Sequence, residues 1–235
     1  MSHVLSRRLL LAAGTATAAG LVAGAGLAAS RPTAPPDPPD AAEAWRRLES
    51  GNARFAAGTP DHPHQDPAWR ESLAGGQHPF ACVLDCADSR VPPELIFDQG
   101  LGDLFTVRTA GEVLDDAVVG SIEYAAEHLH VPLIVVLGHS GCGAVRAAID
   151  LVHGAGSTTG AVNTMARAIE AAVRSTPPDP DPAAFWLACV HNQARRVAVE
   201  LAERSNAIGS AAQAGAVEIV PSAYDLRSGR VRRLD

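Results

Sequence analysis

The chain of 235 residues is 47% hydrophobic, 19% charged and only 4% aromatic, with a formal net charge of −7. That length suits one domain with a short appendage, and the composition excludes a chain disordered throughout, a collagen-like repeat and a polytopic membrane protein. All 19 basic residues are arginine in an acidic chain, which excludes the basic surface that non-specific nucleic-acid binding needs.

Ser6-Arg7-Arg8-Leu9-Leu10-Leu11 sets two arginines before an uncharged stretch from Leu9 to Ala29. A charged start, an apolar middle and small residues near its end predict an export signal over residues 1–30, and the paired arginines resemble the twin-arginine type. The product is then periplasmic or extracellular. The stretch is also long enough to span a bilayer, so an uncleaved membrane anchor is the alternative. Residues 31–40, RPTAPPDPPD, form a Pro-rich spacer that builds neither helix nor sheet ladder. A single folded domain is expected over 41–235.

Within that domain, Asp40 is placed to cap a helix starting at Ala41, with Glu43 at the third position as in a capping box. Trp45, Leu48, Asn52 and Phe55 recur at heptad-like spacing before Gly58. An amphipathic helix is therefore expected, burying this face against the domain core or reaching across to a partner subunit. Residues 60–79 read as a polar loop holding His62, His64 and His78. Residues 80–85 and 104–108 read as strands, and Asp116 is placed to cap a helix to about His130. Residues 133–137 are apolar throughout, the pattern of a parallel strand buried on both faces. A helix follows from about Gly141, and a helical stretch lies between linkers at 154–160 and 176–182. Asp181-Pro182 opens a long helix to about Arg204. Residues 217–224 form a further strand, and a turn at 226–229 leads to a short edge strand at 230–234. Strands alternating with helices predict an α/β fold: a central, mainly parallel sheet flanked by helices, preceded by an N-terminal helical arm.

Four cysteines are too few for a disulfide scaffold and enough for a metal site. Cys86 and the run His139-Ser140-Gly141-Cys142 both fall at C-terminal ends of expected strands, where open α/β sheets place their sites. Two thiolates and one imidazole form a soft, tetrahedral-leaning set that suits zinc, and three protein ligands leave one position open, as in catalytic sites. Cys82 lies four residues before Cys86, roughly 13 Å away at ~3.3 Å per residue. It reads as a buried core residue, as does Cys189.

CADSRVPPE at 86–94 and GHSGCGAV at 138–145 resemble the paired signatures of the β-class carbonic anhydrases. The likeness extends through GDLFTVRTAGEV at 102–113, SIEYAAEHLHVPLIVVLGHSGCG at 121–143 and YDLRSGRV at 224–231. LESGNARFAAG at 48–58 fits the bacterial branch, and the likeness covers nearly all of the chain after Ala41. It implies a β-carbonic-anhydrase-like fold with one Zn2+ per subunit on Cys86, His139 and Cys142. It further implies an Asp88–Arg90 dyad, in which the arginine holds the carboxylate beside the reacting water. Gln77, Phe105 and Tyr124 fall where the plant-type branch lines its substrate pocket, and Gly143 matches a glycine whose N–H faces it.

The implied reaction is zinc-dependent, reversible hydration of carbon dioxide to bicarbonate and a proton. Hydrolysis of carbonyl sulfide or carbon disulfide on the same scaffold, or a non-catalytic zinc-stabilised binding domain, are the alternatives. Some family members have a closed state in which the matching aspartate ligates zinc. Phe105 and Tyr124 would supply a dry pocket and Gln77 a hydrogen bond to a CO₂ oxygen, while His62, His64 or buffer would carry the proton. The implied partners are CO₂ and bicarbonate, no nucleic acid, further copies of the chain in a homodimer or higher oligomer, and a membrane only through an uncleaved N-terminal segment. Asp85 before the first ligand and Glu112 in AGEV depart from the common family wording.

Overall fold

The computed structural model describes residues 40–156 and 158–235; the expected export signal, and the spacer up to residue 39, lie outside the described residues. Helix α1 (Ala41–Ala57) starts where the sequence places it, with the Asp40 carboxylate accepting the Glu43 N–H at 2.8 Å. Glu43 in turn holds Arg46 and Arg47. The buried stripe of α1 includes Ala44, Trp45, Leu48 and Asn52, and it packs on this chain's own core. Asn52 sits in that stripe for a reason periodicity does not show. Its Nδ2 donates to the carbonyls of Ile96 and Gly229, and its Oδ1 accepts the Val231 N–H. One side chain thereby ties α1 to two distant segments.

The expected polar loop contains helix α2 (Pro67–Ser72), capped by Asp66 with Pro67 at its start, a combination that favours helix initiation. Trp69 is buried and donates to the Leu101 carbonyl. His64 stacks on it at 3.9 Å between ring centroids and pairs with Asp103 at 2.7 Å. His64 is thus engaged in holding the loop.

The sheet comprises β1 (Ala81–Asp85), β2 (Leu104–Arg108), β3 (Leu133–His139), β4 (Glu218–Tyr224) and β5 (Val231–Arg233), in the order β2-β1-β3-β4-β5. The first four are parallel, giving the mainly parallel sheet expected, and the short edge strand β5 is antiparallel to β4. Between them run α3 (Pro93–Ile96), α4 (Asp116–Glu127), α5 (Gly143–Val152), α6 (Gly160–Ser175), α7 (Pro182–Arg204) and α8 (Asn206–Gln213). The cap of α4 is Asp115, one residue earlier than expected, accepting the Val118 N–H. Strand alternation divides the core. Val83, Leu133, Val135 and Leu137 pack in one cluster with α1, α5 and α6, while Cys82, Leu84, Ile134 and Val136 pack in the other with α4, α8 and the second half of α7. Both sheet faces are covered. Among the described residues no helix is long and apolar enough to cross a membrane.

Asp98 fastens α1 to the body of the domain. Its side chain is 1% exposed and accepts from Arg54 Nε at 2.6 Å and from the N–H groups of Asp61 and His62. Burial raises its carboxyl pKa, but these donors outweigh it and leave the pKa below the usual value. A depressed folded pKa adds stability above the unfolded carboxylate pKa and loses it as pH falls through the folded one. Asp98→Ala is expected to cost about 2–4 kcal/mol at pH 7, lowering Tm by ~5–15 °C. The loss should shrink below about pH 3.9, which calorimetry across pH checks.

Candidate metal centre

β1 and β3 pair up to Asp85 and Leu137, so Cys86 and His139 emerge side by side at the C-terminal ends of neighbouring parallel strands. Gly141, with φ of 70°, turns the chain there, and Cys142 takes the N-cap position of α5. All three side chains are buried, with their ligating atoms within 4.8 Å of one another. The two sulfurs are 3.9 Å apart. Two Zn–S bonds of ~2.3 Å at a tetrahedral angle set sulfurs about 3.8 Å apart, so the spacing fits that ion.

His139 supplies a second test of fit. Its Nδ1–H donates to the Ser140 carbonyl at 3.0 Å, which leaves the lone pair on Nε2. Nε2 is fully buried and has no hydrogen-bond partner in the protein. A buried acceptor with nothing to accept is costly, and a metal ion removes that cost. Hydrogen bonding from Cys142, with the Gly111 N–H, holds the Cys86 thiol well below its ordinary value, while the bond to Cys86 together with burial pushes Cys142 up. The pair offers one ready thiolate and one proton that a bound metal displaces. Cys82, on the other face of the sheet, is pushed up to about 12 by burial alone and stays a thiol.

Asp88 and Arg90 form a fork beside the cluster. Arg90 donates from Nε to Oδ1 at 2.9 Å and from Nη2 to Oδ2 at 2.6 Å, and its backbone N–H adds a bond to Oδ1. The Arg90 guanidinium holds the Asp88 carboxyl well below the usual carboxylate range. Oδ2 stands 3.9 Å from His139 Nε2, which puts an ionised, oriented acceptor at the edge of the ligand set. Arg90 also reaches the Gly141 carbonyl at 3.4 Å, linking the two ligand-bearing loops.

Beneath the cluster, Arg108 at the end of β2 donates to the carbonyls of Cys86 and Asp88. Its Nε lies 3.2 Å from Asp85 Oδ2. Asp85 is fully buried, and burial pushes its carboxyl up to about 8 against the pull of Arg108. Burial, with repulsion from Cys86 and Asp85, also pushes Glu112 well above its ordinary value. The two departures from common family wording thus lie next to each other, behind the first ligand.

Of the other residues the sequence singled out, Gly143 is beside the cluster as the first residue of α5, exposed and with open space around it. Phe105 and Tyr124 meet each other, their rings 6.2 Å apart, with Tyr124 46% exposed. Phe105 is level with Cys82 in the sheet, about 13 Å down the strand from Cys86. Gln77 is exposed in the loop before β1. Within one chain these three are not gathered at the metal ligands. Conversely, sequence reasoning did not single out Arg108, Trp186 or Gln193, which hold the ligand-bearing backbone; their contacts are long-range and leave no local motif.

A family profile described as carbonic anhydrase matches residues 81–231. Carbonic anhydrase 2 of Mycobacterium tuberculosis is 47% identical over 192 residues, 80% of this chain and 89% of that protein. The structure of the β-carbonic anhydrase CcaA matches with a TM-score of 0.67 at 26% identity, over 81% of this chain and 95% of that one. The chain belongs to the β-class carbonic anhydrases. Two tetrameric β-carbonic anhydrases of Sordaria macrospora give a further match, with a TM-score of 0.65 at 25% identity over 81% of this chain and 96% of that one. The enzyme is a zinc carbonic anhydrase that catalyses reversible hydration of CO₂ to bicarbonate and a proton.

Proposed function

We propose that Cys86, His139 and Cys142 hold one zinc ion per subunit and that Asp88 and Arg90 orient the reacting water. The observation that carries this is the buried Cys–His–Cys group with an orphaned imidazole nitrogen and an arginine-held carboxylate 3.9 Å from it. Zinc, when bound, supplies the Lewis acidity that brings the pKa of a water ligand from 15.7 to about 7. Asp88 accepts the hydrogen bond of the attacking water and so aims its free lone pair at CO₂. Arg90 holds that carboxylate turned away from the ligands. The Gly143 N–H, at the free start of α5, faces the substrate.

The same reading extends to the assembly, a homo-oligomer. Phe105 and Tyr124 form an aromatic pair beside β2, an edge strand, and with Gln77 they line the pocket from the subunit interface in the manner of the plant-type branch. Residues 1–30 act as a twin-arginine signal that exports the folded, zinc-loaded domain, with 31–40 as spacer. Replacing Arg7 and Arg8 with lysine is expected to leave the precursor inside the cell, checked by fractionation.

The deciding experiment is zinc stoichiometry with CO₂-hydration rate against pH on the protein of residues 41–235, run beside a sulfide-release assay. One zinc per chain and fast hydration at neutral pH are expected. Sulfide release in place of hydration turns the assignment to a carbonyl sulfide or carbon disulfide hydrolase. Four protein ligands at neutral pH overturn the open site.

A further inference from the structure

Helix α7 contributes no ligand and no group to the chemistry above, yet one of its faces touches the segment carrying each ligand. Trp186, Val190 and Gln193 stand at i, i+4 and i+7, on one line of helix surface. The Trp186 indole N–H donates to the Cys142 carbonyl at 3.1 Å. Gly138 precedes His139, and its backbone lies so near α7 that a Cβ there would sit 3.2 Å from a Val190 methyl. Gln193, 4% exposed, donates from Nε2 to the Gly111 carbonyl at 3.0 Å. The N–H of the same Gly111 donates to Cys86 Sγ at 3.4 Å.

We propose that this face of α7 is a brace for the metal site, with Gln193 and Trp186 as positioning residues for Cys86 and Cys142. The inference rests on the ligand set proposed above.

The turn that presents an N–H to Cys86 is closed by two bonds of its own, from the Glu112 N–H to the Thr109 carbonyl and from Thr109 Oγ1 to the Val113 carbonyl, and neither of them touches Gly111. Gly111 and Glu112 have φ of 71° and 55° in succession, and the second of these carries a side chain in a region that strains any residue but glycine. Such a conformation persists only where its surroundings over-determine it. Gln193 fixes the carbonyl side of Gly111, and this sets the direction in which the N–H of that residue points. With the donor gone, the turn can relax and the N–H leaves the sulfur. Trp186 acts on the other thiolate in the same way, by holding the Cys142 carbonyl at the α5 N-cap. The reference for both is rigid: α7 spans 23 residues and contributes Cys189 and Val190 to one core cluster and Ala194, Val197, Ala198 and Leu201 to the other. Outer partners of metal ligands change metal affinity by about 10–100-fold when removed.

The test uses zinc-loaded protein carrying Gln193→Leu, which keeps the bulk and removes the donor, and separately Trp186→Phe. Three quantities are read: zinc transfer to a chromophoric chelator, the thiolate-to-metal charge-transfer band of the cobalt-substituted form, and Tm. Each variant is expected to release zinc about 10–100-fold faster with a shifted cobalt band. Arg196→Ala, on the exposed side of α7, should match wild type in both. A merely structural role moves Tm alone, so a lowered Tm with wild-type zinc release and an unchanged cobalt band overturns the brace. If Gln193→Leu does not fold, Trp186→Phe decides by the same readings. Cys142→Ala in the same series separates the two levels: if it keeps a full zinc complement, the ligand set fails, whatever the brace variants show.

Discussion

Cys142→Ala is expected to remove the metal and the activity together. The side chain is 1% exposed, and its sulfur sits 3.9 Å from that of Cys86 in a group of three donors. Its loss leaves one thiolate and one imidazole, two points that cannot hold a tetrahedral ion against solvent. Zinc content should fall from about one per chain to under a tenth, because affinity in such sites depends on the full ligand count. Hydration should fall by about a thousand-fold or more, since water without the metal keeps a pKa near 15.7. The fold should survive, because Cys142 is one small member of the larger core cluster, at the start of α5, and the strand ladders do not involve it. Cys82→Ala is the control. It removes a thiol that is equally buried but lies in the opposite core, so it should cost about 1 kcal/mol of stability and leave zinc and rate unchanged. Metal analysis and stopped-flow hydration read both; a Cys142→Ala protein with wild-type zinc and rate would exclude Cys142 from the ligands.

That prediction was accessible from sequence because the ligands sit in two short runs at strand ends. Periodicity located the strands: residues 133–137 are apolar at every position, which fits a parallel strand covered on both faces, and β3 is such a strand. The extra length of β3, through His139, was not visible, since Gly138 reads as a terminator. It continues the strand because β4 pairs with it there, Gly138 with Ala223 and His139 with Tyr224, and the missing side chain leaves room for α7. Helices α2 and α8 were missed for a related reason. Each is short, six and eight residues, and too brief for a 3.6-residue period to stand out from a polar loop. Their capping signals were present all the same, Asp66 before Pro67 and Ser205 accepting the Ile208 N–H.

The Cys–His–Cys group and the Asp88–Arg90 fork were legible as chemistry. What supports them was not. Asn52, placed on an apolar stripe by spacing, is a three-bond junction; Arg108, read only as the end of a strand, clamps the carbonyls around the first ligand. Such contacts join segments separated by tens to hundreds of residues, and no window along the chain contains both partners. Phe105 and Tyr124 illustrate the complementary case. Sequence pairs them with the ligands through family spacing, while the single chain holds them to each other, with Tyr124 exposed.

Arg90→Ala is expected to close the site with the enzyme's own carboxylate. In the wild type three bonds from Arg90 hold Asp88 in place, and two of them come from the side chain that this change removes. The freed carboxylate stays ionised and already has an oxygen 3.9 Å from His139 Nε2. A modest rotation brings it within the ~2.0–2.2 Å of a carboxylate ligand, filling the position that water must occupy. Zinc should therefore be fully retained while hydration at neutral pH falls by about a thousand-fold or more, the effect of withholding the activated water. Asp88→Asn loses the charged acceptor but makes a poor ligand, so a smaller fall of about a hundred-fold is expected, the lower end of acid–base contributions. The two changes should then not add. The double variant Arg90→Ala with Asp88→Asn has nothing left to close the site, and it should be faster than Arg90→Ala alone, rising to the level of Asp88→Asn. Rates on zinc-quantified protein, with crystal structures to show whether water or Asp88 takes the fourth position, read this cycle. A double variant no faster than Arg90→Ala would show that Arg90 serves the reaction directly and does not act by restraining Asp88.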